Sequence, residues 1–565
     1  MVNPLKIFLV FFSVIVILSG IILIFPGGNI PLGGGFTLKF FTSEDLLEPG
    51  NGPEKVDLSK IIDLVEVAQV VEDVKIELPI IEDNISGNSP ELEIIGQGIE
   101  FPEGDATVLQ YFFEGLDGVN SFKKQIRILH YGDSQIEGDR ITATLRNRFQ
   151  ANKNFNGCGV GIVPVKENAP GRGTMVQSSS DNWIRFSSFQ KNKFKIKNIA
   201  YGLMGNFFRF TPPISTLVNG QELVFGVPKD TAIIQKEKLD FQKLPVPEKI
   251  PVQQRNLLPD SLKETVPDTA LTELIVSMDS LSGIRQKNDS LGKPIVMNGN
   301  QSAWLSLTRS QWKNNKSQQV ENFKLLYNNI NEPVLVNITI NDKHTITDTL
   351  LPTDNFTYKQ WPLSYTYEKI SFEFQGKESP DIYGVALDCD SGVAVDNIPM
   401  RGASITNFTS MNRNNLSNMI HKMDARLIIL QFGVNVVPNV GEDYTYYENM
   451  VYRQLMAIKK STPDISVLLV GVSDMSRKDG TEYASYPNIE KISNAQKKAA
   501  FRAGCAFWDL YEAMGGQNSM VSWVQNNPSY AELDYTHFNH RGAEIVGKMI
   551  YDALIQEYNA YKKNI

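Results

Sequence analysis

Cysteine and histidine are scarce in this 565-residue chain. There are three cysteines (Cys158, Cys389, Cys505) and five histidines (His130, His344, His421, His537, His540). The cysteines lie far apart without CxxC spacing, and the histidines form no HExxH pattern. Neither a zinc site nor a disulfide framework is expected. At most one disulfide forms, with one thiol left over. No metal and no organic cofactor is called for. The chain also lacks a stripe of Lys and Arg interleaved with aromatics, which argues against nucleic acid as a partner. Negative charge is not spread evenly: between 51 and 100 twelve Asp/Glu meet three Lys, so the net charge of -8 is concentrated there and the remainder is close to neutral. No internal repeat is evident.

What is present begins at the N-terminus. Ile7 to Phe25, IFLVFFSVIVILSGIILIF, carries no charge, and Lys6 precedes it while Pro26 and Gly27 follow. As a helix rising ~1.5 Å per residue it would cross a hydrocarbon core of about 30 Å. We read residues 1–28 as a cytoplasmic tip and transmembrane signal anchor, with the body of the protein extracytoplasmic, on the periplasmic or cell-surface side. A cleaved signal peptide is the alternative, and it too sends the body across the membrane. Residues 29–100 are Gly-rich, then acidic and turn-rich, the composition of a flexible tether.

From 101 the texture is globular, and the length calls for two or three folded units. IRILHY (126–131), ARLIILQF (425–432), ISVLLVG (465–471) and CAFWDL (505–510) are short apolar runs. They alternate with amphipathic segments at 139–150, 449–460, 489–504 and 541–561. Buried strands alternating with helices predict a parallel sheet wrapped in helices. Between the two halves, VLVNITI (334–340), FTYKQWPL (356–363) and EKISFEFQG (368–376) alternate with period two, as in an antiparallel β-sandwich. The expected division is an α/β domain at 101–204 and 386–565, interrupted by a β insert at 205–385 with a polar excursion at 228–294. Trp304, Trp312 and Trp361 of the insert fit core packing better than sugar stacking.

The chemistry-bearing stretch is HYGDSQIEGDR (His130 to Arg140), where a strand ends on Gly, Asp and Ser. Ser134 lies past the carboxyl end of that strand, where open α/β sheets bind ligands. A serine nucleophile needs a base, a carboxylate to orient the base, and donors for the oxyanion. DYTHFNHRG places Asp534 three residues before His537, within reach of its Nδ1, leaving Nε2 for the hydroxyl. Asn435, in QFGVNVV, and Gly402, in IPMRGASI, are candidate oxyanion donors beside the Ser134 N–H. Each feature alone is ordinary turn or cap chemistry, and their order along the chain is what carries the reading. His540 is a weaker rival to His537, and His130 reads as a packed core histidine.

That order resembles the SGNH (GDSL-type) hydrolase family, whose blocks carry Ser, Gly, Asn and His. Ser134 matches block I, Gly402 block II, Asn435 block III, and Asp534 with His537 block V. Gln135 stands where Leu is usual, and Val436 where Asp is common. The resemblance implies a flavodoxin-like three-layer α/β/α fold and a Ser134–His537–Asp534 triad acting on acyl esters through an acyl-enzyme. GCGVGIVP (157–164) followed by a β insert is similar to carbohydrate and peptidoglycan O-acetylesterases with a carbohydrate-binding-module-like insertion. Gly157, Gly159 and Gly161 would then form a loop close to the substrate, with a plain structural turn as the alternative. The expected substrate is an O-acetylated glycan or peptidoglycan. Two alternatives stay open: an O-acetyltransferase working beside a membrane acyltransferase partner, and a glycan-binding protein on a hydrolase scaffold that no longer turns over.

Overall fold

The computed structural model describes residues 12–13, 19–21, 23–24, 29–33, 36–39, 56–58, 98–167, 171–188, 200–211, 300–310, 319–328, 330–364 and 366–564. Most of the expected membrane segment, and all of the polar excursion at 228–294, lie outside the described residues. Seven positions of the 7–25 run are described, and all are helical. Among the described residues no helix is long and apolar enough to cross a membrane.

The α/β domain is built on five parallel strands: β1 (Gln125–Gly132), β2 (Gly392–Pro399), β3 (Ala425–Gln431), β4 (Ser466–Val470) and β5 (Ala506–Trp508). They lie in the order β2-β1-β3-β4-β5. This is the flavodoxin-like order, in which the connection reverses direction between β1 and β3 and leaves a crevice at their carboxyl ends. Both faces are covered, which explains the near-continuous apolar runs of the strands. Ile128, Leu427, Ile429 and Leu468 pack under α1 (Gln110–Phe122), α2 (Arg140–Ala151) and α6 (His540–Lys563). Leu129, Tyr131, Leu430 and Leu469 face α3 (Arg413–Lys422), α4 (Thr445–Ser461) and α5 (Ile489–Arg502).

Between α2 and β2 the chain forms two antiparallel sheets. One contains Met175–Ser179, Gln301–Arg309, Val334–Ile340, His344–Leu350 and Lys369–Gly376; the other contains Gly161–Val163, Ile184–Ser187, Asn206–Arg209, Asn322–Asn328, Thr357–Pro362 and Asp381–Asp388. Their inward residues, among them Leu305, Phe323, Val336, Phe372 and Val385, share one core. The alternating burial of Val334–Ile340 follows from its period-two sequence. Sheet pairing begins at Gly161, well ahead of the expected boundary at 205. The early strands are short and carry Ser, Gln and Arg, so their period is hard to read.

Two features join insert to α/β domain. Arg127 on β1, fully buried, donates to Asp388 at 2.5 Å and to Asp396 on β2 at 2.7 Å. Asp396 also accepts the Ile162 N–H at 2.7 Å, and Lys324 reaches Asp388 at 3.2 Å. Beside this cluster Cys158 and Cys389 form a disulfide, while Cys505 is free and buried. The three glycines expected to approach a substrate belong to the same seam. A Cβ on Gly159 would stand 1.9 Å from the Leu387 carbonyl oxygen, on Gly157 2.7 Å from that of Val393, and on Gly161 2.2 Å from Asp396 Oδ1. All three have positive φ, and they let this loop pack against the backbone of Leu387 and Val393 and the Asp396 carboxylate across the seam.

Part of the expected tether has structure. Asn29–Gly33 pairs antiparallel with Phe36–Lys39. Leu58 is buried, and the Val56 N–H donates to Ser522 Oγ at 2.9 Å.

Candidate active site

The site forms at the β1/β3 crevice from four segments that the chain delivers separately. The first is the turn after β1. A Cβ on Gly132 would lie 2.8 Å from the Gln431 carbonyl oxygen, so glycine is what allows β1 and β3 to close up there. Asp133, buried, then accepts from the N–H groups of Gln135 at 3.0 Å and Gly433 at 3.1 Å, tying the two strand ends together. Burial pushes its carboxyl up to about 6, and these backbone donors limit the rise.

The second segment is the turn Met400–Ala403, which docks on β1 through the Met400 N–H and the Gly132 carbonyl at 2.7 Å. Its closing bond runs from Ala403 N to Met400 O at 3.0 Å. Gly402, at φ +75, occupies the third position, where a positive φ is required. The closing bond uses the Ala403 N–H and not that of Gly402. The third segment follows β3, where Asn435 donates its amide to the Ala403 carbonyl at 3.0 Å. This brings the two expected oxyanion donors into one corner, and the amide nitrogen retains a second hydrogen.

The fourth segment precedes α6. Tyr535, at φ +54, bends the chain sharply. Its carbonyl accepts the Ser476 N–H at 3.0 Å, and its ring stacks on Tyr483 at 3.6 Å between centroids. The bend wraps the backbone around Asp534. Oδ1 accepts from Thr536 N and His537 N, both at 3.0 Å, and Oδ2 lies 2.6 Å from His537 Nδ1. Partial burial pushes the Asp534 carboxyl up, but the His537 and Thr536 hydrogen bonds outweigh it and hold the group below its ordinary value. His537 Nε2 in turn stands 2.8 Å from Ser134 Oγ. A carboxylate held ionised at Nδ1 fixes the tautomer with Nε2 as acceptor, poised to take the serine proton.

The structure therefore brings together Ser134, His537, Asp534, Gly402 and Asn435, and leaves Gly157, Gly159 and Gly161 in the seam. His540 pairs with Glu544 at 3.3 Å. His130 is buried between Gln431 and Thr142, and burial pushes its pKa down to about 4, so it stays neutral. Trp361 is buried and stacked on Phe323, Trp304 is 45% exposed, and Trp312 lies outside the described residues.

Three further residues take roles at the site that the sequence does not assign to them. Gln135 donates to the Thr536 carbonyl at 2.7 Å and to Ser473 Oγ at 3.1 Å, and its own oxygen accepts from Phe538 N at 3.4 Å. Arg140 is spent on backbone. It donates to the carbonyls of Ser134 and Phe538, both at 2.9 Å, and of Glu137 at 3.0 Å. Arg401 lies on the Gly402 turn, 3.7 Å from the buried Glu137 carboxylate, whose pKa burial raises. The one sequence signal was Gln135 in a position where the family usually has Leu. Among the described residues no group of His, Cys, Asp and Glu could hold a metal ion.

No family model matches the sequence, and no curated protein matches it. Among solved structures the fold is similar to that of a peptidoglycan O-acetylesterase, with 17% identity and a TM-score of 0.51 over 82% of this chain and 99% of that one. Shorter overlaps occur with a GDSL-like lipase from Parabacteroides merdae (14% identity, TM-score 0.21, 28% of this chain and 72% of that one). A family 29 carbohydrate-binding module also overlaps (14% identity, TM-score 0.12, 16% of this chain and 63% of that one). The chain shares its fold with the peptidoglycan O-acetylesterase over nearly all of that protein, and it resembles the SGNH hydrolases in how that fold gathers Ser134, Gly402, Asn435 and His537.

Proposed function

We propose that the chain is a serine esterase that removes O-acetyl groups from a glycan, with peptidoglycan as the leading candidate. The observation that carries this is the relay Ser134 Oγ to His537 Nε2 at 2.8 Å and His537 Nδ1 to Asp534 at 2.6 Å. Ser134 attacks the acetyl carbonyl while His537 takes its proton. The N–H groups of Ser134 and Gly402 and the amide of Asn435 receive the oxyanion. His537 then gives that proton to the departing sugar oxygen; water, deprotonated by the same imidazole, attacks the acetyl carbonyl on Ser134, and His537 returns the proton to Ser134 Oγ as acetate leaves. The acetyl and glycan parts of the reading draw support from the fold shared with a peptidoglycan O-acetylesterase.

The same reading places the enzyme outside the cytoplasm on a single N-terminal anchor. Its support is the uncharged 7–25 run and the Cys158–Cys389 disulfide, a bond that persists in oxidising compartments.

The test is turnover of p-nitrophenyl acetate and of O-acetylated peptidoglycan by the full-length protein beside Ser134→Ala and His537→Ala. Because the relay acts as a unit, each variant is expected to lose at least ~10³-fold in kcat. Equal rates in all three would end the esterase reading.

A further inference from the structure

Asp534 fixes the imidazole within its own turn, since all its bonds reach only two or three residues along the chain. It does nothing to fix that turn against Ser134, which lies 403 residues away in sequence. Something else must hold the two segments in register, because a displacement of about 1 Å between reacting groups costs on the order of 10²-fold in rate.

Gln135, immediately after the serine and 2% exposed, is placed to do this. Its amide engages the peptide groups on both sides of His537. Both N–H donors are used, on Thr536 O and Ser473 Oγ, and the oxygen accepts from Phe538 N. Arg140 adds one further backbone contact, at Phe538 O. A leucine would fill the same space but could neither donate to Thr536 nor accept from Phe538. We propose that Gln135 is a positioning residue for His537, setting the direction from which Nε2 meets the Ser134 hydroxyl. The proposal rests on the esterase reading and adds a determinant that the Ser–His–Asp relay does not contain.

The experiment measures kcat and KM for p-nitrophenyl acetate between pH 5.5 and 8 in the full-length native protein, Gln135→Leu and Gln135→Glu. Thermal midpoints are recorded alongside. Gln135→Leu is expected to lower kcat by roughly 10- to 100-fold with KM within about two-fold, since the small ester does not touch Gln135. Gln135→Glu keeps the shape. When protonated, the new carboxyl donates through its O–H and accepts through its carbonyl; when ionised, it presents only acceptors to the Thr536 carbonyl. Burial raises the pKa of such a carboxyl into the assayed range, so the ratio of its kcat to native kcat should fall as pH rises. A residue that merely filled space would give a ratio that does not vary with pH.

Native-like kcat in Gln135→Leu, or a flat ratio in Gln135→Glu, overturns the proposal. If the leucine variant does not fold, the pH dependence of the glutamate variant carries the test. An inactive native protein would instead sink the esterase reading, and so is distinguishable from failure of the positioning role alone.

Discussion

The two oxygens of Asp534 do different work. Oδ1 caps two backbone N–H groups and Oδ2 faces the imidazole. Asp534→Asn would keep the caps but turn an N–H toward Nδ1, forcing the proton onto Nε2. On the esterase reading kcat should fall by about 10⁴ with the fold intact, checked by initial rates together with the thermal midpoint; a loss under ten-fold would contradict the assigned tautomer. Asp133 carries a pH prediction. Its folded pKa of about 6 lies above the ~3.9 of an unfolded aspartate. Its contribution to stability is therefore fully present below about pH 4 and lost as pH rises through about 6. The stability of native protein relative to Asp133→Asn, from urea unfolding at pH 4.5 and 7, should fall by roughly 2 kcal/mol over that interval. A pH-independent difference would mean that Asp133 ionises as if exposed. At this scale Ser134, Gly402, Asn435, Asp534 and His537 were all legible, because each sits at a turn that its neighbours announce. Gln135 and Arg140 were not, because their partners are carbonyl and N–H groups that a sequence does not display.

Strands and helices were legible where their burial is simple. β3 and β4 are mostly apolar, β1 is apolar at Ile126, Ile128 and Leu129, and Val334–Ile340 alternates cleanly. β2 passed unnoticed, although it pairs with β1 along its whole length. Its centre is Asp396–Asn397, which a hydropathy pattern assigns to the surface. Both are buried, Asp396 on Arg127 and Asn397 donating to the Ile136 carbonyl and Thr142. The glycine run before Gly161 misled for a related reason, since close approach to backbone and close approach to a ligand call for the same residue. Gly159→Ala separates them. With its Cβ 1.9 Å from Leu387 O and φ at +79, it should destabilise by at least ~2 kcal/mol. Turnover per folded molecule should stay within two-fold of native. A raised KM at unchanged stability would restore the substrate-loop reading.

In the whole molecule, the ion cluster and the disulfide make insert and α/β domain one mechanical object. Arg127→Leu would leave Asp388 and Asp396 buried without their shared cation, at a cost of about 3–5 kcal/mol. Replacing Cys158 and Cys389 with serine should cost ~2–4 kcal/mol. Calorimetry should show each change lowering a single transition. A separate early transition for the insert would show that the seam does not couple the two. None of this was readable from Arg127 alone, because its partners lie 261 and 269 positions away.

β1 is paired on both sides, yet neither of its neighbours exists until residue 392 of the chain has been made. At ~5–20 residues per second, synthesis spends something like 13–50 s on the roughly 260 residues between them. During that interval the nucleophile's strand has no partner in the sheet, while the whole antiparallel insert, complete by Asp388, is free to fold. The base arrives later still, with residues 534–538. On the esterase reading, a growing chain carries Ser134 long before His537 can activate it, and hydrolytic competence switches on only as α6 and the turn before it dock.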